Sequence, residues 1–412
     1  MIILTEDQEN ALLKFNQFLL DPIETVFVLS GYSGTGKSTL VKSLIDAVPN
    51  FIKTAKLIDP STKEWDIQLT ATTNKAAEAF ASITNRDVST IHSFLGLRVA
   101  KNEKGESTLV PRTHVTKDGY LLFIDEASYV DKTLLTYIFK LTKDCKIVFI
   151  GDPAQLTPVK SVGTPVFDAN FSGAKLTKVV RQAEGNPIIN LSTLFRETVN
   201  TGEFFQFTPD GHHIQYMERS DFNAALEQEF SRDNWRHQDS KVLAWTNKCV
   251  IDYNKLIRNH VKGDPHFQVG DYAVCNSYLN TGRYPIKTDQ LVEITDIGSD
   301  EYSHDVLGNM FTIDGVVKAF MPKELAAKNR RIKDAKAAGD TYTVNDIDSY
   351  WVDLRAAYSC TINKAQGSTY DRVFIDLDDI RACNSGDQIA RMLYVGVSRA
   401  RHQVYLVGDL VA

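Results

Sequence analysis

The eight residues Gly31-Tyr-Ser-Gly-Thr-Gly-Lys37-Ser38 follow the pattern G-x-x-x-x-G-K-[ST], between the apolar run Val26-Phe-Val-Leu29 and a helix-like stretch beginning at Thr39. Strand, glycine-rich loop and helix in this order restrict the fold sharply, because such a loop works where a strand delivers the chain to a helix N-terminus. Gly31, Gly34 and Gly36 leave backbone N–H groups able to close around a phosphate. Lys37 has the reach for β and γ oxygens, Ser38 offers a hydroxyl to Mg²⁺, and Thr39 carries the cradle into the helix. The pattern predicts binding of a nucleoside triphosphate.

Further apolar, strand-like runs recur with helical stretches between them: Ile67 to Thr70, Leu121 to Ile124, Lys146 to Ile150, Lys241 to Ala244, Val373 to Ile375 and Val404 to Val407. This alternation predicts parallel α/β layers. The runs fall into two groups separated by a stretch of weak periodicity, which predicts two α/β lobes. From Phe267 to about Val317 the texture changes to short alternating segments divided by Gly270-Asp, Gly282, Gly298 and Asp314-Gly, the pattern of a small β-barrel. The polar segment Arg98 to Gly119 reads as a hairpin protruding from the first lobe. Lys323 to Ala338 reads as a basic, alanine-rich helix, either a solvated face or a nucleic-acid contact.

A net charge of −6 excludes a globally basic nucleic-acid binder and leaves room for a local groove of modest phosphate contacts. The N-terminus lacks a basic leader and no apolar run approaches spanning length, so the expected location is cytoplasmic and no membrane partner is expected. Five scattered cysteines, without a C-x-x-C pair, are expected to be reduced.

After Leu121-Leu-Phe-Ile124 come Asp125 and Glu126. A carboxylate at the carboxyl end of a strand beside the phosphate loop is placed to hold Mg²⁺, so Asp125 is the metal candidate with Ser38, and Glu126 is the residue to orient or deprotonate the attacking water. The next strand ends in Gly151-Asp152-Pro-Ala-Gln155, where an amide can bond the γ-phosphate or that water. Arg181 and Arg399 remain as guanidinium candidates for the charge that phosphoryl transfer spreads over equatorial oxygens, a role worth on the order of 10³ to 10⁵ in rate.

Taken in order, these segments resemble the motif series of superfamily 1 helicases, and most of all its RecD/Dda branch. The resemblance runs from Leu4-Thr-Glu-Asp-Gln8 through Leu69-Thr-Ala-Thr-Thr-Asn-Lys-Ala-Ala77 and Ser89-Thr-Ile-His-Ser93. It continues through the Asp125 and Gly151 motifs, Trp245-Thr-Asn247, Thr361-Ile-Asn-Lys-Ala-Gln-Gly-Ser-Thr369 and Leu393-Tyr-Val-Gly-Val-Ser-Arg-Ala-Arg401. It implies an α/β fold of two RecA-like lobes, one formed by residues 1–97 and 119–185, the other by 186–266 and 353–412. Residues 98–118 would be a pin-like subdomain, and 267–352 an SH3-like barrel with a helical extension. ATP and Mg²⁺ are the implied cofactors, with Gln8 reading adenine and Gly367 joining the nucleotide site.

The implied activity is ATP-driven movement from 5′ to 3′ on single-stranded DNA with separation of the duplex ahead. Forked DNA and a single-strand-binding or replisome protein are the implied partners, and a monomer suffices. Thr73, His92, Thr246, Asn247, Thr361, Asn363, Lys364 and Gln366 would be strand contacts or coupling residues; each taken singly also reads as a helix cap or a satisfied surface polar. Thr72 stands where the family often has proline, and Asn363 where it has histidine. Residues 98–118 hold no Phe, Tyr or Trp for base stacking, worth roughly 1–3 kcal/mol per base. The alternative is therefore a translocase, on DNA or RNA, that strips bound proteins with little unwinding.

Overall fold

The computed structural model describes residues 4–101, 107–112, 115–158, 163–178, 185–264, 266–282 and 284–410. The chain forms two compact units, Met1–Phe205 with Leu393–Val395, and Gln206–Met392 with Gly396–Ala412.

In the first unit, side chains alternate across a six-stranded sheet. Phe27, Leu29, Leu121, Phe123, Val148 and Ile150 enter one core with Phe15, Phe18, Leu44 and Phe80. Val26, Val28, Leu122, Ile124, Ile147 and Phe149 enter the other with Ile91, Leu134 and Ile138. A sheet apolar on both faces must be covered on both, and helices Glu6–Leu20, Lys37–Ile58 and Asn74–Thr84 supply one layer while Lys132–Leu141 supplies the other. The strand order is Ser172–Leu176, Val26–Gly31, Lys146–Gly151, Tyr120–Asp125, Asp66–Ala71, Ser89–Thr90, and every pairing is parallel. All carboxyl ends therefore lie on one edge, where an open α/β sheet binds ligands. The Arg98–Gly119 region contributes antiparallel strands Leu97–Lys101 and Ser107–Pro111, then Lys117–Asp118 paired with Thr142–Lys143.

The helix after the phosphate loop starts earlier than the sequence reading placed it. Gly36, at φ 78°, is its N-cap, so Lys37 and Ser38 already belong to the first turn. The weakly periodic stretch holds strand Ser172–Leu176, helix Pro187–Thr201, strand Ile214–Met217 and helix Arg219–Phe230.

The second unit has a parallel sheet of five strands in the order Ile214–Met217, Ala400–Val407, Tyr370–Asp376, Ser240–Ala244, Ser359–Thr361. It also has an antiparallel sheet in the order Val317–Pro322, Val306–Ile313, Leu291–Ser303, Tyr272–Cys275, Leu354–Ala356. Helices Leu325–Ala337 and Thr341–Tyr350 lie in the chain between strands Val317–Pro322 and Leu354–Ala356 of the latter, with Ile347 and Trp351 packed on Phe320. None of the helices described is long and apolar enough to cross a membrane.

Candidate functional site

The phosphate loop leaves the sheet at Gly31, where a β-carbon would sit 2.9 Å from Leu176 Cβ and from Thr35 Oγ1, so the turn admits only glycine without a shift. Gly34 and Gly36 take φ of 82° and 78°, the left-handed conformation that turns successive N–H groups inward. Lys37 Nζ donates to the carbonyls of Gly31 (2.6 Å) and Tyr32 (2.8 Å), so the ammonium rests on the loop's own rim. Gln8, buried, closes the opposite side. Its Oε1 accepts from Thr5 N (3.1 Å) in a capping box, and its Nε2 donates to Thr35 O (3.3 Å). The first helix is thereby tied to the loop that Gln8 is expected to overlook. Ser38 and Thr39 lie in the first turn beyond it.

Asp125 ends its strand opposite Ala71, and Gly151 ends the next strand opposite Ser30, which brings both acidic motifs to the loop's edge of the sheet. Burial first, and then the neighbouring charge of Glu126, push the Asp125 carboxyl up to about 7; the Lys37 ammonium pulls the other way. Asp125 Oδ1 accepts from Glu126 N (2.9 Å), and Glu126 itself adopts φ 54°. Thr72 supports the pair from the adjacent strand, its N–H donating to Asp125 O (3.3 Å) and its hydroxyl to Glu126 O (3.2 Å). A proline here would lack both of these donors. Gln155 is buried two residues past Pro153, its N–H on Asp152 O (3.2 Å).

Asp152 and Tyr394 are participants to which sequence reasoning gave no role. Tyr394 groups with the first unit; its hydroxyl accepts from the loop's Ser33 N (3.0 Å) and donates to Asp152 Oδ2 (2.5 Å). Burial and the Asp152 charge hold this phenol protonated far above the usual range. An acid directly after an apolar strand was the available signal for Asp152; a partner more than two hundred residues away leaves none.

Mg²⁺ and a nucleotide fit the residues present. A glycine cradle opens on backbone N–H groups, and burial and Glu126 oppose the ionisation of Asp125 more than Lys37 and the Glu126 N–H favour it, the condition that a divalent cation corrects. Among the described residues no group of three or more His, Cys, Asp or Glu forms a cage.

The strand-contact candidates divide by unit. In the first, Thr73 caps helix Asn74–Thr84 by accepting from Ala76 N (3.1 Å), which leaves its hydroxyl proton to give. His92 is half-buried on the short helix Ile91–Phe94, and burial lowers its pKa against the opposing charge of Asp131. In the second, Thr361 caps Ile362–Ala365 by accepting from Lys364 N (3.4 Å). Thr246 caps Asn247–Lys262, but its hydroxyl donates to Asp379 Oδ1 (2.5 Å), so its proton is committed within the unit; Asn247 follows it, exposed. Lys364 Nζ pairs with Asp289 (2.6 Å) and donates to Asn276 Oδ1 (2.9 Å). Asn363 Oδ1 is buried without a hydrogen-bond partner among the described residues, and Gln366 is buried beside Gly367, whose φ is 78°. Arg399, also buried, donates to Ser368 O (3.1 Å) and Ser398 Oγ (2.9 Å). Arg181 lies outside the described residues.

A phosphate loop, a strand-end Asp-Glu pair and a following glutamine on one edge of a parallel sheet define a P-loop nucleotide site. Comparison with known proteins narrows the class. An AAA domain family profile matches residues 4–219, and a UvrD-like helicase C-terminal domain profile matches 356–407. The ATP-dependent DNA helicase dda of Enterobacteria phage T4 is 26% identical over 98% of this chain and 99% of its own length. RecBCD enzyme subunit RecD of Buchnera aphidicola is 30% identical over 94% of this chain and 71% of its own. In fold, the Pif1 helicase from Bacteroides in complex with ADP-AlF3 and ssDNA superposes with a TM-score of 0.52 at 18% identity, covering 100% of this chain and 94% of that one. The chain belongs to the RecD/Dda branch of superfamily 1 helicases.

Proposed function

We propose that the chain is an ATP-dependent DNA helicase that moves 5′ to 3′ on single-stranded DNA and separates the duplex ahead of it. The observation that carries this reading is the gathering of Gly31–Thr39, Asp125, Glu126 and Gln155 on one edge of the first parallel sheet, in a chain of this family. Gln8 is assigned the adenine, Lys37 the β and γ oxygens, and Ser38 with Asp125 the Mg²⁺, which would neutralise charge on the transferred phosphoryl group. Glu126 takes the proton of the attacking water, Gln155 orients that water, and Arg181 and Arg399 meet the developing charge. Gly367 is assigned to the nucleotide side of its motif.

Thr73, His92, Thr246, Asn247, Thr361, Asn363, Lys364 and Gln366 are assigned to the strand. Apart from Thr246, whose hydroxyl proton goes to Asp379 Oδ1, their hydroxyl, amide and ammonium donors suit backbone phosphates, which carry no sequence information, as a moving motor requires. Residues 1–97 with 119–185 and 186–266 with 353–412 are read as the RecA-like lobes, 98–118 as the pin and 267–352 as an SH3-like domain. The antiparallel pairing of Leu97–Lys101 with Ser107–Pro111 and the five-stranded antiparallel sheet support the last two assignments.

The test is hydrolysis of ATP with and without single-stranded DNA, for the parent and for Lys37→Ala. The expected result is strong DNA stimulation in the parent and a loss of at least about 100-fold in kcat in the variant, whose fold is retained. Equal turnover by the two proteins would overturn the site assignment.

A further inference from the structure

Tyr32 is the second residue of the phosphate loop, and it is held from the side as well as from within. The Arg196 guanidinium lies 3.7 Å from the centroid of its ring, and the Lys175 ammonium lies 5.2 Å from it. Arg196 sits on helix Pro187–Thr201, which Ile188, Leu191 and Phe195 anchor in the first unit, so the cation is presented by a fixed element to a loop residue. Its side chain is only 13% exposed and pairs with the adjacent Glu197 at 3.3 Å. Its Nε is buried with no hydrogen-bond partner among the described residues. An arginine held only for structure normally satisfies such a donor; here the planar group lies against the aromatic face instead.

The backbone of Tyr32 does two further things. Its carbonyl accepts from Lys37 Nζ (2.8 Å) and from Thr35 Oγ1 (2.8 Å). Whatever fixes Tyr32 therefore fixes the rim on which the lysine ammonium rests. The Arg196 charge also reaches the Tyr394 hydroxyl, the group that receives the Ser33 N–H of the same loop.

We infer that Arg196 is a positioning residue for nucleotide binding, acting through the Tyr32 ring to hold the outer shoulder of the phosphate loop in its binding shape. It does so by cation–π contact, and Lys175 adds positive charge at the same shoulder. This rests on the nucleotide-site reading above and goes beyond it, since neither Arg196 nor Tyr32 belongs to the residues that touch phosphate in that reading.

The test is a double-mutant cycle of Arg196→Ala and Tyr32→Ala, read as KM and kcat for ATP with oligo(dT) present and, separately, as affinity for a fluorescent ADP analogue. Circular dichroism melting checks the fold of each variant. The expected result is a rise of about 5- to 10-fold in KM and in the ADP dissociation constant for either single variant, with kcat within about twofold. The double variant should be no worse than the singles, and Tyr32→Phe, which keeps the ring, should recover most of the affinity. Independent, multiplying losses, or an Arg196→Ala variant with parental affinity, would overturn the inference. Absence of hydrolysis in the parent would instead strike the functional reading, and the ADP arm would still decide the Arg196–Tyr32 pair.

Discussion

Asp125 and Glu126 place two carboxyl groups on consecutive residues at a buried strand end, and the first is raised from its ordinary 3.8 to about 7. Without metal, the folded protein keeps a proton on Asp125 between those values while the unfolded chain has released it. The folded state thus binds more protons across that window, and stability falls as pH rises through it. Asp125→Asn removes the penalty. In EDTA, urea denaturation should find the variant more stable than the parent by about 4 kcal/mol at pH 8 and indistinguishable near pH 4. Equal stabilities at pH 8 would show that Asp125 is ionised without strain. Glu126 is predicted to act on chemistry rather than on binding. Glu126→Gln should slow hydrolysis by on the order of 10² to 10⁴ while leaving ADP affinity within about threefold; a comparable loss of affinity would assign it to binding.

The elements around the site depend on a few close contacts that substitution exposes. Gly31→Ala puts a β-carbon 2.9 Å from Leu176 Cβ, across strands rather than against a flexible side chain. It should lower stability by about 1–3 kcal/mol and weaken nucleotide binding together. Lys146 is buried at the first position of its strand and donates to Phe18 O, Asp21 O and Glu24 O, each at 2.7 Å, tying the end of the first helix to the sheet. Lys146→Met leaves those carbonyls unpaired and should cost about 3 kcal/mol in urea denaturation, with a loss under about 1 kcal/mol showing that water replaces the ammonium.

These same elements show what the sequence made legible. Val26–Gly31, Tyr120–Asp125 and Lys146–Gly151 are apolar on both faces because helices cover both, and such runs are readable. Ser172–Leu176 is an edge strand whose Gly173 lies so near Val28 that a β-carbon would overlap its carbonyl, a reason for glycine that no hydrophobic pattern announces. Ile214–Met217 is likewise an edge, with Tyr216 exposed, and its short alternation is lost among neighbouring loops.

Over the whole molecule, linear motifs were legible because each strand end carries its chemistry on consecutive residues: Gly31–Ser38, Asp125–Glu126, Gly151–Gln155. Contacts assembled by folding were not. Arg196 meets Tyr32, and Tyr394 meets Ser33 and Asp152, across distances in sequence that no local spacing encodes. The family pattern likewise could not foretell that Thr72, in place of proline, spends its N–H on Asp125, or that Lys364 pairs with Asp289 of the segment joining Tyr272–Cys275 to Leu291–Ser303. All of these roles depend on one activity, nucleotide hydrolysis driving directional travel along one DNA strand. Its most direct test measures strand separation on matched duplexes bearing a 5′ or a 3′ single-stranded tail, with ATP consumption followed in the same reactions. The expected result is release of the displaced strand from the 5′-tailed substrate alone, dependent on ATP and lost in Lys37→Ala. Release from the 3′-tailed substrate, or DNA-stimulated hydrolysis that frees no strand from either, would contradict it.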